Sequence, residues 1–127
     1  MTIKEWLFSK LTSNVGISAI VGTNVSGDFG DYDDIPCIVY SELGFNRNLL
    51  LRVPVFSIKA IHSTQAEVET LAELIYDLFD NSAVSLREQS SNLSIENINI
   101  INYQSSVFDP TNKKWYSILD IEIFYSK

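Results

Sequence analysis

His62 is the only histidine of this chain and Cys37 its only cysteine. By type, His62 could act as an acid, a base or a metal ligand. It follows a strand-like run and directly precedes a helix start, and no second histidine or cysteine stands by to complete a site. It therefore reads as a turn residue. A single cysteine allows no intrachain disulfide and no cysteine-based zinc site.

The stretch "GDFGDYDD" gathers Asp28, Asp31, Asp33 and Asp34. Carboxylates this close could supply oxygen ligands to a hard cation, and a small metal-dependent enzyme is the remote reading. The spacing departs from the EF-hand loop, and no glutamate follows at the bidentate position. A solvated acidic loop is the plainer account, and an acidic rim facing something negatively charged is a third. The "DFG" inside it lacks the other kinase motifs, and no serine sits in a nucleophile elbow. "IVGTNVSG" lacks the Gly-Lys-Ser/Thr ending of a phosphate loop. The sequence predicts no catalytic residue, no cofactor and no metal, and so a protein that is not an enzyme.

Two basic stretches offer contacts instead. "RNLLLR" sets Leu49, Leu50 and Leu51 between Arg47 and Arg52. Three consecutive leucines cannot all face one side of a strand. The stretch is either an ordinary strand start or a hydrophobic contact that docks on a neighbour. In "FDPTNKKWYS", Lys113 and Lys114 are positive charges on an acidic protein, candidates to touch an acidic neighbour.

The elements that position these residues follow from periodicity. Thr2 and Glu5 have capping-box spacing, and Ile3, Trp6, Leu7 and Leu11 form one apolar stripe. A short helix is expected there, stopping at Asn14 or Gly16. Residues 16 to 34 read as an irregular connection with a turn of helix at 18 to 21. Residues 35 to 45 read as a strand opening on Pro36, and residues 49 to 63 as a second strand, joined by a turn at 44 to 48. Phe56, Ile58 and Ala60 share one face, with Ser57 and Lys59 on the other. Pro54 predicts an edge position or a bulge.

Thr64 and Glu67 form a second capping pair, and the stripe of Val68, Leu71, Ala72, Ile75, Leu78 and Phe79 predicts a helix over 64 to 81. Residues 82 to 94 read as a loop. Residues 95 to 108 alternate imperfectly. Residues 114 to 127 alternate well, with Trp115, Ser117, Leu119, Ile121, Ile123 and Tyr125 on one face. Asp109 and Pro110 mark the reversal between them. The order helix, hairpin, helix, hairpin predicts one α+β domain over 1–127. Its mostly antiparallel sheet would have about four strands, with two helices packed on one face.

Composition narrows the class. A chain of 127 residues with 46% hydrophobic and 20% charged residues is globular and fits a single domain. Its net charge of -7 excludes a sequence-blind nucleic-acid binder and disfavours anionic membranes. "MTIKEWLFSKL" is polar too often for a signal peptide or a span, so synthesis in the cytoplasm is expected.

The pattern as a whole resembles the small tail-completion proteins of long-tailed bacteriophages, the tail terminators or tail-to-head joining proteins. The likeness runs through the N-terminal helix, "SAIVGTNV", "DIPCIVYSEL", and "VPVFSIKAIHST" leading into "QAEVETLAELIYDLFD". It ends with the hairpin "SSVFDPTNKKWYSILDIEIFYSK". The Asp-rich stretch at 27 to 34 and the serine-rich one at 82 to 94 are its departures. The resemblance implies a virion protein at the head–tail interface, made in the bacterial host cytoplasm. Such a protein forms a ring, typically a hexamer, that ends polymerisation of the tail tube. The implied partners are further copies of itself, the tail tube protein and a head-side connector or stopper. DNA would pass through the lumen without specific binding, and Asp28, Asp31, Asp33 and Asp34 would form an acidic lumen or rim. A neck or stopper component, or another small tail protein of related fold, is the alternative.

Overall fold

The computed structural model describes residues 1–27, 35–47, 50–80, 89–90 and 93–127. Thr2 opens the first helix, α1 (Ile3–Ser13), with a complete capping box. Its Oγ1 accepts the Glu5 N–H at 3.1 Å, while its own N–H donates to Glu5 Oε1 at 3.3 Å. Asn14 ends α1 and starts α2 (Val15–Val21), because its Oδ1 accepts the Ile17 N–H at 2.9 Å. The expected turn at 18 to 21 is thus a seven-residue helix. Gly22, at φ 61, closes it in a conformation that a Cβ would strain.

The chain then lays down β1 (Val25–Gly27), β2 (Cys37–Arg47) and β3 (Arg52–His62). Helix α3 (Gln65–Phe79) follows, then β4 (Gln89–Ser90), β5 (Leu93–Asp109) and β6 (Lys114–Ser126). The strands form one six-stranded sheet in the order β1-β2-β3-β6-β5-β4. Only the β1–β2 pairing is parallel. The α+β class and the two hairpins hold, but the described residues form a sheet of six strands and three helices where four and two were expected. The additions are small. β1 and β4 are three- and two-residue strands inside stretches that read as connections, too short for alternation to register.

Residues 44 to 47 are strand and not turn. β2 continues to Arg47, and Gly44 belongs to a bulge at Leu43 that shifts the register between Glu42 and Gly44. A glycine inside a strand often marks such a bulge. Pro54 lies on β3, which has a neighbour on both sides, so it is not an edge residue. The bulge stands directly opposite its neighbour Val55, and no pairing to β6 falls at Pro54 itself, where the missing N–H costs no ladder bond.

The β6 alternation is as expected: Ser117, Leu119, Ile121, Ile123 and Tyr125 are all buried. The imperfect alternation of β5 has a cause in three register shifts, at Ile95/Asn97, Ile100/Asn102 and Gln104/Val107. Each inserts residues that have no partner on β6 and re-aims the side chains that follow. The core joins one face of the sheet to the helices: Ile38, Phe56, Ile58, Leu119, Ile121, Ile98 and Ile95 meet Trp6, Leu7, Leu11, Ile17, Leu71, Ile75 and Phe79. α3 lies over β5, β6 and β3, α1 beside β1, and α2 between α1 and α3.

Candidate assembly surface

The opposite sheet face carries no helix among the described residues and is mixed: Val39, Val53, Val55, Ile61, Ile118 and Phe124 lie on it, with polar rows across its middle. Glu122 receives two amides, Asn46 Nδ2 at 3.1 Å and Asn99 Nδ2 at 3.0 Å, from the strands two places and one place away. Asn102 Nδ2 donates to Asp120 Oδ2 at 3.3 Å. The other oxygen, Asp120 Oδ1, is shut from solvent without a hydrogen-bond partner among the described residues. The Lys59 ammonium stands 5.0 Å from the centre of the Tyr116 ring. The amides and carboxylates of these rows largely satisfy one another across the middle of the face.

Helix α3 presents a second polar surface of one sign. Glu67, Glu69, Glu73 and Asp77 lie along it, and the helix contains no basic residue. Glu69, Glu73 and Asp77 follow at i, i+4 spacing, where each like-charged pair costs roughly 0.2–0.5 kcal/mol. Beside them the Tyr103 phenol is pushed above its ordinary range by burial first, then by Glu73, Asp77, Tyr76 and Glu69. Its ring packs on Tyr76 at 4.8 Å between centroids.

His62 is the last residue of β3, paired with Trp115 on β6, and not the turn residue expected. Its Nδ1 lies 2.7 Å from Glu67 Oε2 and 2.8 Å from the Ser63 nitrogen. This explains why the second capping box is only half made. Thr64 Oγ1 accepts the Glu67 N–H at 3.3 Å, but the Glu67 carboxylate is turned to the histidine. Among the described residues no group of three or more His, Cys, Asp or Glu is placed to hold a metal ion. No described helix is long and apolar enough to cross a membrane. Asp28, Asp31, Asp33 and Asp34 lie outside the described residues, between β1 and β2.

The two basic stretches are brought to opposite ends of the sheet. Arg47 pairs with Arg52 where the β2–β3 hairpin closes, level with Tyr125. Lys114 pairs with Asp109 near His62 and Trp115. The eleven residues from Arg52 to His62 separate these ends by about 33 Å. Leu50 is 87% exposed at the hairpin end, Leu51 half-buried and Arg52 exposed. Leu49 and the Arg47 side chain lie outside what the structure describes. At the other end, Asp109 Oδ1 accepts the N–H groups of Thr111 and Asn112, and Lys113 sits exposed at φ 55.

Further exposed apolar residues were not singled out by sequence. Leu43 and Phe45 stand out from β2, and Ile101 and Phe108 from β5. Leu43 and Ile101 are both bulge residues, which alternation alone places on the wrong face.

The architecture is a six-stranded, mostly antiparallel sheet with three helices on one face and free strand edges. No family model matches this chain, and no curated protein matches it. Among solved structures it is similar to a chain described as "Virion of native gene transfer agent (GTA) particle". The TM-score is 0.69 at 14% identity, covering 95% of this chain and 92% of that one. The likeness is one of fold, and it runs nearly end to end in both chains.

Proposed function

We propose that this protein is a structural component of a phage-like particle, acting without catalysis as a tail terminator. In this reading copies close into a ring, a hexamer in the family it resembles, at the head-proximal end of the tail tube. The ring stops tube growth, receives the head-side connector and lets DNA through. The observation that carries the reading is the near full-length fold likeness to a chain of a gene transfer agent virion. The ordered sequence resemblance to tail-completion proteins supports it independently.

The surface supports it as well. A one-sign acidic helix and rows of amides and carboxylates repel or ignore a passing polyanion.

Electron microscopy of tails assembled with and without the protein tests the role. Uniform tails in its presence and overlong ones in its absence are expected; tails of normal length without it would remove the terminator reading. Pull-down against the tube protein and against a head-side adaptor separates a terminator, which holds the tube, from a stopper, which holds only the adaptor.

A further inference from the structure

The sheet has two open flanks. On one side β1 covers β2 only at Ile38, Val39 and Tyr40, so from Ser41 to Arg47 β2 has no outer neighbour among the described residues. On the other side β4 covers β5 only at Leu93 and Ser94, leaving Ile95 onward open in the same sense. Free edges invite pairing, and soluble proteins blunt them with lysine, proline or charge-bearing bulges. The open part of β5, "IENINIINYQSSVFD", contains no lysine, arginine or proline. Both edges have bulges; Leu43 on β2 is 60% exposed and Ile101 on β5 52%, while the other two bulges of β5 insert the exposed Glu96 and the pair Ser105 and Ser106.

The ladders place the Leu43 and Ile101 bulges on either side of one row, about one residue step apart along the strands. Glu42 pairs with Phe56, Phe56 with Ile121, and Ile121 with Ile100, forming one row across the sheet. The next rows are Gly44–Val55–Glu122–Asn99 and Ser41–Ser57–Asp120–Asn102. Leu43 and Ile101 therefore flank the same central row from opposite edges. Three successive antiparallel pairings also make β2 and β5 run in opposite directions. A second copy set beside the first, helices on the same side, brings its β2 antiparallel to β5 with the apolar bulges about one residue step apart.

From this we infer that copies of the chain join edge to edge, the β2 edge of one against the β5 edge of the next. Leu43 packs on Ile101 across that contact. The occupant of each edge is a second copy, because the two edges of one molecule run in opposite directions and each carries an exposed apolar bulge residue within about one residue step of the same row. The contact is heterologous, so it repeats around a ring without leaving an edge open. It rests on the ring reading and names the surface that closes the ring.

Cysteine pairs test it. Within one chain three strand spacings, about 14 Å, separate β2 from β5, too far for an internal disulfide. The double variant Leu43→Cys/Ile101→Cys, oxidised after assembly, should give a ladder of covalent multimers on non-reducing gels. An equal mixture of the two single variants should stop at dimers, and neither single variant alone should cross-link. A covalent dimer from one single variant alone would mean a two-fold contact and overturn the pairing. Rings in native mass spectrometry without cross-links from the double variant would overturn the pairing and leave the ring reading standing. Monomers alone, at every concentration and on tube ends, would overturn both. As a second arm, Leu43→Asp should lower the assembled fraction about tenfold or more, since a carboxylate would be buried unpaired. Ile101→Lys in the same chain should restore it. Both positions are exposed in the single copy, and an unchanged circular dichroism spectrum checks that each variant folds.

Discussion

Ser106 Oγ donates to Glu69 Oε1 at 2.9 Å, joining a bulge of β5 to the helix packed above it. Gln65 Nε2 donates to the same hydroxyl at 3.3 Å, so one inserted residue holds two positions of α3. The bulge that spoils the alternation of β5 is thus a point of attachment. Ser106→Ala should lower unfolding free energy by about 1 kcal/mol, the worth of a hydrogen bond to a charged acceptor that is partly wet. Urea denaturation measures it; a change within error would leave the bulge with a purely steric role.

Asp109 holds the β5–β6 turn through Asn112, whose side-chain amide reaches Oδ2 at 2.9 Å, and through two backbone N–H groups. These bonds hold its carboxyl below the ordinary carboxylate range, the Asn112 side chain contributing most. A depressed folded-state pKa means stability that is complete above the unfolded value of 3.8 and lost as pH falls through the folded value. Asp109→Asn should melt lower than the parent at neutral pH, and the gap should narrow below pH 3.8. Melting curves from neutral to strongly acidic pH decide it, and a constant gap would contradict the assignment.

Lys113 is a non-glycine residue at φ 55, the left-handed region that L side chains enter at a cost. Its N–H donates to the Asp109 carbonyl at 2.8 Å, a bond that glycine keeps. Lys113→Gly should stabilise the monomer by about 0.5–1 kcal/mol, after allowance for the freer unfolded chain. Loss of stability in thermal unfolding would show that the lysine side chain outweighs the backbone strain.

Tyr103 gives the alkaline counterpart. Burial and the carboxylates of α3 raise its phenol above the ordinary 10.0, so the folded state keeps the proton longer than the unfolded chain. The corresponding stability is complete below pH 10.0 and falls as pH rises through the folded value. Tyr103→Phe should flatten the alkaline limb of the stability profile relative to the parent. Superimposable limbs would mean that Tyr103 is ionised equally in both states.

Where physical signals are local, the sequence is readable. α1 and α3 combine an apolar stripe with a Thr N-cap, and β6 alternates without interruption because none of its own residues is inserted. Pro54 also carries its message correctly in one respect, since a bulge does face its immediate neighbour. What is hidden depends on pairing. Gly44 resembles a turn until β3 is laid beside it, and β1 is a strand only because β2 is there to bind it. The placement of Leu43 and Ile101 on either side of one row emerges only after three ladders are in register, so no window of sequence contains it.

The position of β6 has a consequence for how the molecule is made. It is the last strand in the chain order and yet sits in the middle of the sheet, between β3 and β5. During translation the ribosome therefore releases a β1-β2-β3 piece and a β5 piece that share no ladder. Each exposes an inner edge that the finished protein conceals. Cooperative closure must wait for Lys114–Ser126 to emerge. Until then a nascent chain has inner edges to misjoin with a neighbouring copy, and the final strand ends that exposure.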